Sequence, residues 1–209
     1  RRSKALGTIS LDLFMTLDGV YQGPGSAEED PSGGFEYGGW QADFADAESG
    51  SAILEGIRAM DALLLGRRTY DIFASYWPER GSSNPIAEKF NSMDKFVVSG
   101  TMDDAGWDGT TVLADTAGAA ALKERYGDIH IVGSGSLARS LLEAGILDRL
   151  NLFVYPVTLG KGKRFFPEGS GIPAAFRLAA SPQGFPQGTV RLVYERAGDP
   201  VTGINAGAD

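Results

Sequence analysis

Apolar and polar positions along the chain fall into short, evenly spaced blocks. Residues 6–14, Leu-Gly-Thr-Ile-Ser-Leu-Asp-Leu-Phe, alternate well enough to predict a first strand. A polar stretch rich in glycine, proline, serine and acids follows at about 19–39. A loop of that length within a compact domain usually carries function or moves. From Gln41 to Met60 the spacing turns helical, with Phe44, Ile53, Ile57 and Met60 on roughly one side. Ala62 to Leu65 is an apolar run ended by Gly66, which suits a parallel strand buried on both faces.

The rhythm then repeats. Asn84-Pro85 opens a short helix through Phe90, with proline in its first turn. Lys95 to Val98 reads as a strand ending at Ser99-Gly100-Thr101, and Ala117 to Tyr126 as an alanine-rich helix stopped by Gly127. Ile129 to Val132 is a strand, Gly133-Ser134-Gly135-Ser136 a turn, and Leu137 to Ala144 a helix capped by Gly145. Beyond Leu150 the strands at 152–155 and 189–194 have no helix between them, and the second alternates strictly. The order predicts an α/β fold: a mostly parallel sheet flanked by helices, closed by antiparallel strands. One domain over residues 1–197 is expected, with 198–209 a loose C-terminal tail.

Composition narrows the chemistry. The 209 residues carry a formal charge of −8, which argues against broad binding to nucleic acid or anionic membrane. With no cysteine, disulfides, thiol catalysis and cysteine-held metals are excluded. The single histidine, His130, lies in an apolar run and reads as a strand residue with a satisfied ring. No metal site is therefore expected. Neither a membrane span nor a signal peptide is visible, so a cytoplasmic location is the default expectation. The chain begins Arg1-Arg2-Ser3, without an initiator methionine.

Three strand ends carry Gly, Ser, Thr or Arg: 66–70, 99–101 and 133–136. In a parallel sheet such ends share one edge, the edge at which open α/β sheets bind ligands. Gly133-Ser134-Gly135-Ser136-Leu137-Ala138 fits G-x-G-x-x-A between strand and helix, either as a phosphate turn or as a plain tight turn. A classical Rossmann domain is rejected, because that fingerprint follows the first strand and this one follows about the fourth. Arg67 and Arg68 are either solvated or grip a phosphate, with about 1.5–3 kcal/mol for each charged hydrogen bond. That is enough to favour a 2′-phosphorylated dinucleotide by about ten- to a hundredfold.

Taken in order, five segments resemble the dihydrofolate-reductase-like superfamily: Met15 to Gly19, Leu65 to Tyr70, Val97 to Thr101, Val132 to Leu137 and Pro156 to Gly162. More closely, they resemble the C-terminal reductase domain of bacterial riboflavin-biosynthesis proteins and its small stand-alone relatives. The resemblance spans about residues 6–196 and implies a three-layer fold, NADPH as cofactor and a homodimer. By this resemblance Arg67 meets the adenosine 2′-phosphate, while Arg68 and Thr69 approach the pyrophosphate beside Gly66. Ser99 and Thr101 line the adenosine ribose, and Gly133, Ser134, Gly135, Ser136 and Leu137 wrap the pyrophosphate. The turn Leu17-Asp18-Gly19 lies against the nicotinamide. True dihydrofolate reductases place a carboxylate early on the first long helix; Asp43, Asp46 and Glu48 occupy that region here, in different surroundings. Without cysteine to hold zinc, the deaminase chemistry that accompanies the riboflavin enzymes is not expected.

For the substrate side, Asp18 is the leading candidate, since a carboxylate accepts N–H bonds from an aminopyrimidine or pterin; the alternative is a local Asx turn before Gly19. Phe14, Trp40, Tyr76 and Trp77 are either stacking platforms for a flat heterocycle or ordinary packing. Asp46 joins them as a substrate-side candidate. Lys161, Lys163 and Arg164 either hold a substrate phosphate or form a solvated hairpin. Two functions stay open: an NADPH-dependent reductase of a small heterocycle, and a non-catalytic NADP(H)-binding protein.

Overall fold

In the computed structural model, strand β1 (Thr8–Thr16) lies deep within one nine-stranded sheet, because its residues other than Asp12 are apolar or small toward both sides. The structure describes residues 5–169 and 172–204. The other strands are β2 (Ala62–Gly66), β3 (Asp94–Val98), β4 (Thr110–Leu113), β5 (Asp128–Val132), β6 (Arg149–Tyr155), β7 (Ala175–Leu178), β8 (Gln183–Gly184) and β9 (Val190–Gly198). They run in the order β4-β3-β2-β5-β1-β6-β9-β7, with β8 also on β9. Pairing is parallel from β4 through β6 and antiparallel at β9, β7 and β8.

Among the described residues five α-helices cover the sheet: α1 (Ala47–Ala59), α2 (Arg67–Tyr76), α3 (Pro85–Ser92), α4 (Thr116–Ala121) and α5 (Gly135–Glu143). Alternate strand residues point to opposite faces. Ile9, Leu11 and Leu13 join Leu64, Ile129, Ile131, Leu150 and Leu152 under α4 and α5 in one apolar cluster. The other face, under α1, α2 and α3, holds two clusters. One is built on Leu63, Leu65, Tyr70, Phe90 and Trp107, the other on Phe14, Trp40, Phe153 and Tyr155. The expected three-layer α/β architecture, mostly parallel with antiparallel C-terminal strands, is what the chain adopts.

Helix boundaries follow the caps. Helical spacing from Gln41 becomes a single 3-10 turn at Ala42–Phe44, an extended Ala45, and then α1. The Asp46 carboxylate takes the Ser49 N–H at 2.7 Å, and that starts the helix. Asn84 accepts from the N–H groups of Ile86 and Ala87 ahead of Pro85. The alanine-rich segment shortens to α4 followed by a 3-10 turn at Leu122–Glu124. Strands β4, β7 and β8 were not expected, and β9 continues to Gly198, where the tail was placed. Residues 205–209 of that tail lie outside the described residues. Among the described residues no helix is long and apolar enough to cross a membrane.

Candidate active site

The C-terminal ends of β2 and β5 run into helices with almost no intervening loop. Gly66 ends β2 and Arg67 begins α2. Beyond β5, Gly133 (φ 64°) and Ser134 (φ 51°) turn the chain left-handed into α5. Ser134 is the only non-glycine with positive φ among the described residues. It is held there from both sides: its Oγ accepts the Gly66 N–H at 3.0 Å, and its N–H donates to Thr69 Oγ1 at 3.2 Å. The two helix starts are thereby clamped together, α5 beginning two residues earlier than the sequence spacing indicates. A Cβ on Gly135 would stand 2.3 Å from the Tyr21 hydroxyl oxygen, so any side chain there would displace the Tyr21 ring. Leu137 is buried in the core beneath.

Helices leave their first N–H groups without intrahelical acceptors and carry partial positive charge at that end. Here two such ends converge. Arg67 stands at the start of α2, half exposed, its Nε 3.0 Å from both oxygens of Asp71 one turn on. Arg68 reaches the other way, donating to Ser32 Oγ at 3.3 Å. Gly66 pairs with Val98 in the register of β2 and β3, which puts Ser99 beside Arg67. The Ser99 and Thr101 hydroxyls lie 3.5 Å apart on that exposed corner, with the Thr101 N–H donating to Ser99 Oγ.

Asp18 occupies a tight turn in which Gly19 N–H donates to the Thr16 carbonyl and Gly19 has φ 80°. Its carboxylate accepts from Thr16 Oγ1, Leu159 N–H (3.2 Å), Gly160 N–H (2.7 Å) and Arg164 Nη2 (3.2 Å). Desolvation pushes this carboxyl up, but the hydrogen bonds from Thr16, Gly160 and Leu159 outweigh it and hold it at about 2. The group is ionised at neutral pH and its acceptor sites are filled by its own chain. The geometry therefore gives Asp18 the task of tying the turn to residues 159–164. Leu17 beside it is 63% exposed, an apolar side chain left on the rim.

Between this turn, α5 and α2 lie two clefts of about 410 and 490 Å³. Tyr21, Ser136, Arg139 and Arg164 line the first, Ser32, Phe35, Arg68 and Lys161 the second, and Lys163 borders both. The cations are not simply solvated. Lys163 pairs with Asp30 and donates to Ser32 Oγ, Lys161 donates to the Gly34 carbonyl, and Arg139 donates to Ser136 Oγ and the Arg164 carbonyl. Lys161 and Lys163 thereby fasten residues 30–34 of the long loop to the 161–163 segment.

The sequence profile described as the RibD C-terminal domain matches residues 7–185. The chain belongs to that family. It is 28% identical over 197 residues to the uncharacterised protein YyaP of Bacillus subtilis strain 168, covering 89% of this chain and 93% of the relative. A protein assigned to riboflavin biosynthesis from Shewanella sp. PV-4 superposes with a TM-score of 0.63 at 18% identity, over 90% of this chain and 98% of that one. Dihydrofolate reductase from Enterococcus faecalis, solved with NADP(H), superposes with a TM-score of 0.57 at 16% identity, over 92% and 98%. A RibD C-terminal domain thus has a reductase-type fold, as the motif order implied.

The substrate-side candidates of this RibD C-terminal domain scatter. Phe14 packs edge-on against Phe153 and Tyr155 near the end of β1. Trp40 is buried against Tyr155, with its Nε1 donating to the Gln22 carbonyl at 2.9 Å, and so pins the long loop. Asp46 serves as the α1 cap, and the Ser49 N–H is the main reason its carboxyl lies below the usual range. Trp77 lies apart from the others. It sits past the far end of α2, about 15 Å from the start by helical rise, packed edge-to-face with Phe73, Tyr76 and Phe90. Tyr76 stays there with it, under Arg80.

Sequence reasoning passed over one constellation. His130 on β5 is 5% exposed; its Nδ1 bonds Asp12 Oδ2 on β1, and Asn151 Nδ2 on β6 donates to Asp12 Oδ1 at 2.9 Å. His130 Nε2 lies 3.1 Å from Asp128 Oδ1, at ion-pair distance but outside hydrogen-bond direction. Burial pushes the imidazole down, but Asp12 and then Asp128 raise it to about 10. The signal in the sequence was an acid at alternate position 12 of an apolar strand. Its partner lies 118 residues away.

Proposed function

We propose that this chain is an NADPH-dependent reductase that delivers hydride to a small, flat nitrogen heterocycle. The observation that carries this reading is the convergence of the α2 and α5 N-termini through Ser134 and Thr69, with Arg67 at one of them. First-turn N–H groups of both helices offer donors and partial positive charge to a pyrophosphate. Gly135 carries no side chain, and the Tyr21 hydroxyl lies in the space that a Cβ would fill beside the α5 start. Arg67, with Ser99 and Thr101 next to it, offers a fork and hydroxyls to a 2′-phosphate. The dinucleotide, when bound, supplies the hydride. The residues of the chain hold and orient it: Leu17 and the Asp18 turn flank the nicotinamide end, and ionised Asp18 fixes that turn rather than exchanging a proton.

Loss of NADPH absorbance against a panel of pterins, aminopyrimidines and quinones tests the reading, with turnover of at least one N-heterocycle expected. A second reading, a non-catalytic NADP(H)-binding protein, is favoured by one fact: Asp18 is engaged in holding its turn and Asp46 in capping α1. Tight NADPH binding with no turnover across the whole panel would select it.

A further inference from the structure

The sheet face under α1 is divided by a polar strip. Ser10, Asp12, His130 and Asn151 stand side by side on β1, β5 and β6, between the cluster around Leu63 and the cluster around Phe153. The strip is built rather than accidental. His130 and Asn151 hold opposite oxygens of Asp12, filling two of the roughly four acceptor sites a carboxylate offers. A fifth of the Asp12 side chain (21%) still reaches solvent, against 6% for His130. The fully buried Ser10 hydroxyl, beside His130 in register, has no hydrogen-bond partner among the described residues. Gly56 is the small residue on the turn of α1 that carries Ile53, Ile57 and Met60, and a Cβ there would meet no atom within 4 Å. The strip also adjoins the dinucleotide shelf, because the Gly133 N–H donates to the Asp12 carbonyl at 3.3 Å.

We propose that Asp12, fixed by His130 and Asn151, is the carboxylate that anchors the substrate, a neutral or cationic flat heterocycle presenting N–H donors, of the aminopyrimidine or pterin class. This rests on the reductase reading for its cofactor but not for the anchor itself. Asp12 contacts the ligand, and His130 is a positioning residue that orients the carboxylate and balances part of its charge. With Asp128 opposite, two carboxylates flank the one imidazole, which disfavours carboxylated acceptors.

The histidine is the only one in the chain, so its ring resonances are assigned without ambiguity. The test titrates 2,4-diaminopyrimidine into wild-type protein, with and without NADPH, followed by calorimetry and by NMR of the His130 ring. The proposal expects saturable binding, His130 signals that move with the same midpoint, and an Asp12→Asn variant that binds at least about tenfold more weakly, as loss of a charged hydrogen bond implies. NADPH affinity of that variant should change by less than about twofold. No binding to the wild type, binding that leaves the His130 signals in place, or undiminished binding by Asp12→Asn would overturn it. The wild-type spectra need no variant to fold. Failure of NADPH to bind while diaminopyrimidine still moves His130 would remove the reductase reading and leave the Asp12 anchor standing.

Discussion

On the side of the sheet under α4 and α5, Leu11, Leu64, Ile131 and Leu141 close into one unbroken apolar cluster. On the opposite side, two positions away along the same strands or fewer, the core is interrupted by Asp12, His130, Asn151 and, farther out, Lys95. Lys95 is fully buried, and its ammonium is satisfied by the carbonyls of Phe90 and Met93 at the end of α3 and lies over Trp107. Buried ionic groups are rarely the most stable filling for a core; apolar replacements of similar volume are often neutral or better. The first face is explained by stability. The second needs another reason, and the site supplies one.

The largest contrast is expected from truncating each face. Leu141→Ala, at a fully buried position on α5, should cost about 3–5 kcal/mol in urea unfolding. His130→Leu leaves Asp12 and Asp128 without the imidazole between them and should cost about 3 kcal/mol. Replacing Asp12, His130 and Asn151 together by Val, Leu and Val should restore the loss, while abolishing diaminopyrimidine binding. A triple variant no more stable than His130→Leu alone would show that the polar strip is structural.

A smaller effect separates the faces by pH. The folded imidazole is held at about 10 and the unfolded one titrates near 6.5. The folded state therefore binds the extra proton, and its stabilisation is complete below pH ~6.5 and lost as pH rises through about 10. Unfolding midpoints of wild type and His130→Leu should accordingly converge across that window, whereas those of wild type and Leu141→Ala should stay apart. Taking the difference between variants matters, because Lys95 acts in the opposite sense. Burial drives its ammonium down to about 8, so its contribution favours folding as pH rises above that value.

The apolar face was legible in the sequence for a physical reason. Parallel strands buried on both sides are continuous apolar runs, and Gly66, Ser99 and Gly133 mark where they end. The same punctuation marked the edge proposed for the dinucleotide. Strands β4, β7 and β8 were missed because they are two to four residues long and partly exposed, so they need little apolar pattern. Trp40 and Trp77 were visible as large aromatics, but their depth depends on how the 19–46 loop and α2 fold back, which spacing along the chain does not carry. Asp12, His130 and Asn151 meet only because β5 inserts between β2 and β1 and β6 docks on the other side of β1. Each residue alone looks like a minor flaw in a strand.

The smallest effect expected is on the surface. Asp71→Asn removes an exposed i,i+4 partner of Arg67, and stability should change by less than about 0.5 kcal/mol. Freed from that competitor, Arg67 should bind NADPH about twofold more tightly. An unchanged affinity would show that the pair with Asp71 persists beside the phosphate.

The central claim is that the edge formed by α2, α5 and the end of β3 binds a 2′-phosphorylated dinucleotide through Arg67. Calorimetric titration of Arg67→Ala and wild type with NADPH and with NADH tests it most directly. The account predicts that the variant loses about ten- to a hundredfold in NADPH affinity and less than about twofold in NADH affinity. Equal losses for the two dinucleotides, or no loss for either, would contradict it.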